Sequence, residues 1–270
     1  MTLIEENAKY FARKKENNTY INEIQNISNF LSNLGFLSFG RDYIQCDKWM
    51  FSLQRVITSL ELTTGNIINC CKSACLADAN TLLRKYRDDM FFYLYLSLYN
   101  HELLCEQPVE HMKEHIVKWI NNELSGININ FILKSISLST CLKNAVAKYN
   151  LKETFSKIGK RLNNYVHGNG YIYYNQNILS YSEKELENIL QTLVDDIKYI
   201  TITFVFLLFL CSPSSFMSND YIDYLEFNET PIEGSQYWIA PFAEKFIKDN
   251  LELIDDNCYQ YLKDNTSMDL

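Results

Sequence analysis

Glycine and proline are scarce in this chain, with eight glycines and four prolines among 270 residues. Tight turns depend on these two residue types, so their scarcity disfavours an all-β fold with many turns and favours long helices. The hydrophobic content of 47% and the charged content of 21% are typical of a globular protein rather than a disordered one.

The chain also lacks the short motifs of several enzyme classes. It has no GxxxxGK[ST] loop, no GxGxxG fingerprint and no GxSxG element, which argues against ordinary nucleotide-binding folds and serine hydrolases. None of the eight cysteines forms a CxxC pair, so we expect reduced cytosolic thiols packed as small apolar groups. Cys71 and Cys75 could hold a metal, but no second ligand pair accompanies them.

Long apolar runs are missing as well. The longest extends from Tyr199 to Cys211, whereas a membrane-spanning helix needs about 20 residues. We therefore expect a buried core helix here, with membrane contact as the minority alternative. Residues 1–18 are polar and mixed in charge, without a secretory signal pattern, and we expect a cytoplasmic protein with no membrane partner.

Positive charge is depleted at the C-terminal end. The formal net charge is −8, and residues 218–270 hold twelve acids against three lysines, which leaves residues 1–217 near neutral. This distribution excludes a protein that coats nucleic acid by charge alone, but it allows a local basic site. The acidic tail is either a solvated solubilising segment or an autoinhibitory cover over such a site.

The hydrophobic periodicity predicts helices almost throughout. In the first half, we expect a helix over 19–34 that Gly35 ends, a second that Asp47 caps and Gly65 breaks, and a long helix over 77–99. Further along we expect a helix from Pro108 to about 124, and the segment at 125–139 is ambiguous, with 127–132 possible as a strand. A helix over 142–166 with a break near 149–150 follows, and then an aromatic loop or hairpin at 171–181. The last two predicted helices run from Ser182 to Cys211, where Pro213 closes the helix, and over 241–262.

These elements predict an all-α helical bundle with an acidic C-terminal extension. We expect an N-terminal helical segment over residues 1–44, a helical bundle over 45–217, and an extension over 218–270 that packs on the bundle. In the extension, Trp238, Phe242 and Phe246 are the side chains that we expect to contact the body.

One short stretch carries the strongest indication of chemistry. Residues 161–170 read RLNNYVHGNG, which places Arg161 and His167 just before a glycine-flanked break. Arginine offers a permanent, forked charge to phosphate oxygens, and histidine moves protons near neutral pH. In a continuous helix these two residues would lie about 120° apart, so they converge only if the helix stops near Val166 or if two copies meet. Gly168 favours a helix end at this point.

The neighbouring polar residues could support such a site. Asn163 and Asn164 lie between the arginine and the histidine, and Asn164 could donate to a phosphate or orient His167. Asp89 falls on an otherwise apolar helix face, where a carboxylate is costly unless it is paired. It either orients Arg161 or His167, or it forms an internal pair with a neighbouring arginine or tyrosine hydroxyl.

An arginine followed after four to six residues by a histidine at a helix end, in an all-α protein, resembles the signature of HEPN-domain ribonucleases. The resemblance covers about residues 45–210, and its specific motif is the one at 161–167, where Leu162 replaces a residue that is often polar in the family. The fold implied is a HEPN-like helical bundle, and the activity implied is metal-independent endoribonuclease cleavage without a cofactor.

In that reaction the RNA 2′-hydroxyl attacks the adjacent phosphate and leaves a 2′,3′-cyclic phosphate. The resemblance implies that His167 is the general acid or base, that Arg161 stabilises the phosphate charge, and that the protein is a homodimer. It also implies a bacterial toxin or antiphage defence effector with an antitoxin or regulatory partner. The alternative is a non-catalytic all-α module that binds RNA, a nucleotide or a protein.

A rival motif lies at 111–115, where HMKEH matches the HxxEH pattern of inverted zincins. Two histidines four residues apart can share a zinc ion, and Glu114 could activate water. However, Met112 and Ile116 belong to the apolar stripe of this helix, which places His111 and His115 on a solvated face. We therefore expect no metal site here.

Overall fold

The structure is a computed structural model that describes residues 1–13, 15–39, 41–104, 110–123, 129–178 and 182–270. Within these ranges the chain is mostly helical with one two-stranded sheet, so the expected all-α character is confirmed apart from that sheet. The α-helices are α1 (Leu3–Ala12), α2 (Lys15–Leu37), α3 (Gln54–Lys72), α4 (Leu76–Leu104), α5 (Glu110–Ile120), α6 (Ile129–Leu138), α7 (Lys143–Lys148), α8 (Leu151–His167), α9 (Tyr171–Asn175), α10 (Glu183–Cys211), α11 (Asp220–Glu226), α12 (Pro241–Asn250) and α13 (Cys258–Asn265), and the strands are β1 (Tyr43–Cys46) and β2 (Trp49–Ser52).

The centre of the fold is α10, whose residues 200–211 are buried on every side. A helix that is apolar all round must be surrounded, and α2, α4, α12 and α13 pack around this one. The predicted core helix is therefore confirmed. Among the described residues, no helix combines the length and the hydropathy that crossing a bilayer requires.

Both ends of α10 also follow the sequence signals. The Ser182 hydroxyl accepts a hydrogen bond from the Glu185 amide, and the Glu185 carboxylate accepts one from the Ser182 amide at 2.7 Å. This reciprocal capping box satisfies two of the amide groups that a helix start leaves unpaired. The helix ends at Cys211, two residues before Pro213, as predicted.

The predicted start of the second helix at Asp47 is wrong, because α3 begins at Gln54. Strands β1 and β2 form an antiparallel hairpin there, with Cys46 opposite Trp49 and with Asp47 in the left-handed conformation at a φ of 59°. Aspartate suits both a helix N-cap and this turn position. The alternating burial of Ile44 and Cys46 against the core decides for the strand.

Gly35 and Gly65 lie inside α2 and α3 rather than at their ends, so the two predicted breaks are also wrong. A Cβ atom at residue 35 would lie 3.2 Å from Ile57 Cγ2, which shows that the glycine permits close packing of these two helices. Nothing lies within 4 Å of a Cβ at residue 65, and the structure gives no reason for a glycine there.

Other boundaries differ from the expectation in detail. The segment at 129–138 is helical rather than extended, and residues 171–175 form a short helix rather than a hairpin. The break at 149–150 is confirmed, because Asn150 adopts a left-handed conformation between α7 and α8. The expected helix over 241–262 is divided into α12 and α13 by a 3₁₀ turn. Pro108 and residues 124–128 and 179–181 lie outside the described ranges.

The acidic C-terminal segment contacts the body through aromatic rings. Phe246 stacks on Phe30 of α2 with ring centroids 3.9 Å apart, and Phe242 lies 5.9 Å from the same ring. Tyr261 of α13 lies against Phe206 of α10 at 6.0 Å. The expected contacts of Phe242 and Phe246 are thus confirmed, and they place this segment against α2 and α10, whereas the backbone of Trp238 pairs with Ser218 and Asp269 of the same segment.

The burial of α10 predicts a large cost for truncating its aromatic side chains. We expect Phe204→Ala, which removes a fully buried ring edge-on to Tyr93, to lower the free energy of unfolding by about 3–5 kcal/mol. Phe36→Ala, at a residue that is 79% exposed, should change it by less than about 0.5 kcal/mol. Urea denaturation followed by circular dichroism measures both, and equal effects would contradict the central position of α10.

Candidate functional site

The RLNNYVHGNG stretch forms the last turns of α8 and the turn that follows. The helix includes His167 and ends at Gly168, which takes the left-handed conformation at a φ of 57°. The Asn169 amide donates to the Asn164 carbonyl at 3.0 Å, which pairs one of the carbonyls at the helix end. The predicted helix end at this glycine is confirmed, although it falls one residue later than Val166.

Because α8 continues through His167, Arg161 and His167 lie on different faces of one straight helix. Six residues correspond to a rotation of about 120° between them. Arg161 faces α10 and forms an ion pair with Asp196, whereas His167 is exposed to solvent. Within one copy, therefore, no break in the helix brings Arg161 and His167 together.

Arg161 lies at the edge of the hydrophobic core, between solvent and α10. Its side chain is 38% exposed, and Asp196 beside it on α10 is buried. Burial lowers the pKa of the arginine, but a guanidinium remains charged at any physiological pH. The Nη2 atom contacts the Asp196 carboxylate, and the Nε atom is buried and makes no hydrogen bond within the described residues.

The three supporting residues lie in different surroundings. The Asn164 Oδ1 accepts from Asn169 Nδ2 at 3.4 Å, so this side chain supports the turn rather than the imidazole. Asn163 faces a cleft between α4, α6 and α8, and its Oδ1 is buried without a hydrogen-bond partner. Asp89 pairs with Lys85 on α4 and lines a different cavity, near Trp119. The carboxylate beside Arg161 is Asp196, not Asp89.

An exposed aromatic surface follows His167. On α9, Tyr171 and Tyr174 are 79% and 64% exposed, and Ile172 between them is exposed as well. The Tyr174 hydroxyl folds back over Gly168, where a Cβ atom would clash with it. Exposed aromatic rings can stack on planar groups such as nucleobases.

The position of α9 is fixed from its C-terminal side by Asn177. Its Oδ1 accepts hydrogen bonds from the Ala77 and Asp78 amides at 3.0 and 3.3 Å, and its Nδ2 donates to the Asp78 carboxylate at 2.9 Å. These amides begin α4, where a helix leaves its first N–H groups unpaired. One asparagine therefore joins the turn after the candidate site to the start of the long helix α4.

Positive charge is concentrated around α8. Residues 129–178 contain seven lysines and arginines but a single acid, Glu153, in a chain whose net charge is −8. Glu153 is paired with Lys157 at 2.8 Å. A local excess of cations of this kind attracts phosphate-bearing ligands even on a protein that is acidic as a whole.

The rival zinc motif lies on α5, where its residues have other contacts. His115 stacks on Phe131 with ring centroids 4.3 Å apart, and Glu114 pairs with Lys118. In the ranges that the structure covers, no group of three histidine, cysteine or acidic side chains could hold a metal ion. Cys71 and Cys75 are separated by the end of α3, and Cys71 is fully buried.

Sequence reasoning missed three residues of this region. Asp196 falls among the buried positions Leu193, Ile197 and Ile200 of α10, a periodic signal that was present but that does not name its partner. Gly159 interrupts a helical pattern, which often marks a close approach of another group. The group is Arg87, whose guanidinium lies against α8 at that residue. Only the fold brings residues 87 and 159 together.

Comparisons with protein-family models, curated proteins and solved structures found no match to this chain.

The ion pair makes Arg161 a structural residue as well as a candidate catalytic one. We expect Arg161→Ala to lower the free energy of unfolding by about 1–3 kcal/mol, because it leaves the buried Asp196 carboxylate unpaired. Adding Asp196→Asn should recover most of this loss. Lys157→Ala, which removes a well-exposed partner of Glu153, is the control and should cost less than about 1 kcal/mol. Equal losses in the single and double Arg161 variants would contradict the pairing.

Proposed function

We propose that this protein acts on RNA, which it binds along α8 and cleaves without a metal ion. The observation that carries the proposal is the concentration of cations in residues 129–178 of an otherwise acidic chain, next to an exposed histidine. Lysines and arginines supply the sequence-independent attraction to a phosphate backbone. The exposed rings of Tyr171 and Tyr174 supply stacking surfaces for unpaired bases.

The reaction follows from the chemistry of the two motif residues. The 2′-oxygen of a ribose forms a bond to the adjacent phosphorus while the bond from phosphorus to the 5′-oxygen breaks. His167 takes the proton from the 2′-hydroxyl or gives one to the departing 5′-oxygen. Arg161 donates hydrogen bonds to the non-bridging oxygens as negative charge grows on them. The products are a 2′,3′-cyclic phosphate and a free 5′-hydroxyl.

A complete site requires two copies of the chain. Within one copy the two residues lie on different faces of α8, so an arginine from one copy would meet the histidine of its partner. A two-fold symmetric pair builds two equivalent composite sites in this way. The exposed apolar side chains of α9, beside His167, provide a surface for such a contact.

Binding without cleavage is the second candidate. The pairing of Arg161 with Asp196 favours it, because a guanidinium that is already neutralised offers less to a phosphate. A role as a toxin or antiphage defence effector, with an antitoxin or regulatory partner, is proposed only together with the nuclease activity. Residues of the acidic segment do not line the cleft beside Asn163, so we do not propose that this segment covers it.

The nuclease proposal is tested by RNA cleavage in excess EDTA with analysis of the 3′ ends. Wild-type protein should leave cyclic phosphate, and His167→Ala should reduce the rate by at least about 100-fold, the usual contribution of a general acid or base. His111→Ala, which removes another exposed histidine on α5, is the matched control. A His167→Ala rate equal to wild type would overturn the proposal. RNA binding with no cleavage by any variant would favour the second candidate.

The composite site predicts complementation between two inactive variants. Arg161→Ala with Asp196→Asn in one chain, mixed with His167→Ala in another, should restore about one quarter of wild-type activity. Half of randomly paired dimers are then mixed, and each mixed dimer has one intact site out of two. No recovery on mixing, with dimers verified by light scattering, would show that the two residues do not act across an interface.

A further inference from the structure

The cleft between α4, α6 and α8 is cationic, and among the described residues that line it there is no carboxylate. Its volume is about 500 Å³, within the range of sites that hold small ligands. Lys134, Lys152 and Lys160 lie at its rim with exposed side chains. Because α6 contributes Lys134 and α8 contributes Lys152 and Lys160, the cleft brings together positive charge from two helices.

A buried arginine forms the base of this cleft. Arg87 is 3% exposed, and its Nε and Nη2 atoms donate to Asp88 Oδ1 at 2.9 and 2.6 Å. The remaining nitrogen, Nη1, faces α8 at Gly159, where an added Cβ atom would lie only 2.6 Å away. Glycine inside a helix costs about 1 kcal/mol relative to alanine. The glycine at residue 159 leaves room for the Arg87 guanidinium.

Asn163 adds a hydrogen-bond acceptor to the same cleft. Its Oδ1 is buried and accepts no hydrogen bond from the described residues. A buried acceptor of this kind is stabilised by a donor, and lysines at an exposed rim do not supply one here. A ligand that suits the cleft therefore combines negative charge with a nearby hydrogen-bond donor, such as a hydroxyl group.

We propose that this cleft binds a ribose phosphate, with the phosphate held by the three lysines and by Arg87 Nη1, the guanidinium nitrogen that Asp88 does not bind, and with a ribose hydroxyl donating to Asn163. The 2′-hydroxyl is the group that distinguishes RNA from DNA, so Asn163 is a specificity-determining residue. The ribose phosphate belongs either to an RNA chain, in which case the inference rests on the proposed function, or to a free ribonucleotide. The apolar wall formed by Ile129 and Leu133 faces the rest of the ligand.

The test compares ligands that differ only in the 2′-hydroxyl. Binding of AMP and of 2′-deoxy-AMP is measured by calorimetry on wild-type protein, and binding of a short RNA and its DNA counterpart by fluorescence anisotropy on the His167→Ala variant, which prevents cleavage. Each ribose form should bind about three- to tenfold more tightly than its deoxy form, the value of one neutral hydrogen bond. Selectivity in the mononucleotides alone would identify a free ribonucleotide as the source.

Three variants separate the parts of the site. Asn163→Ala should bring the ribose form down to the affinity of the deoxy form and leave the deoxy form unchanged. Gly159→Ala should weaken both forms by at least about tenfold, because its methyl group displaces the guanidinium, while the helix itself becomes no less stable. Gly65→Ala is the matched control, since nothing lies within 4 Å of its added Cβ atom, and it should leave binding unchanged.

Several outcomes would overturn the inference. Equal affinity for ribose and deoxyribose ligands removes the role of Asn163, and a Gly159→Ala variant that binds as wild type removes the role of Arg87. These results are independent of the nuclease proposal. If the protein cleaves RNA but Asn163 gives no selectivity for ribose over deoxyribose, the inference fails and the proposed function stands. If AMP binds selectively but RNA is neither bound nor cleaved, the proposed function fails and the inference stands.

Discussion

Burial of α10 on every side is the constraint on which the remaining architecture depends. Twelve consecutive residues, 200–211, must be kept from water, and a helix can be covered all round only if other helices enclose it. Four helices do so, among them α12 and α13 from the acidic end of the chain. The aromatic residues of the acidic segment thus complete the core, while its carboxylates remain in solvent.

The same enclosure determines which sides of α8 are free. One side packs on α4, with Phe155 edge-on to Phe91 at 4.4 Å, and a second directs Arg161 to α10. The rest of the helix is left for lysines, asparagines and His167. Structural residues and candidate functional residues therefore lie on different faces of α8. The effect of a substitution in this helix on activity can be interpreted only once the face of the substituted residue is known.

Signals carried by neighbouring residues were sufficient to predict parts of the fold. The capping box at Ser182, the terminating Pro213 and the apolar run between them predicted α10, and the glycine after His167 predicted the end of α8. Gly35 failed as a terminator because it does not adopt the left-handed conformation in which glycine commonly ends a helix, and it packs α2 closely on Ile57 instead. Asp47 failed because helix caps and hairpin turns favour the same residue.

The candidate site was predictable in its residue types but not in its pairings. Arg161 and His167 were recognisable as phosphate chemistry, yet the partner of Arg161 is 35 positions away, on α10, and no local pattern connects them. The close contact between Arg87 and Gly159 likewise joins residues 72 positions apart. Contacts of this kind are set by how whole helices cross, which depends on the sum of many weak packing energies.

The hydrogen bonds from the Ala77 and Asp78 amides to Asn177 couple the stability of two distant segments. Fraying of the first turn of α4 and detachment of α9 become one cooperative opening, because neither can proceed without breaking the same bonds. The protection of these two amides against hydrogen exchange therefore reports on the aromatic helix beside His167. A ligand or partner that holds α9 in place would slow exchange at a position that it never touches.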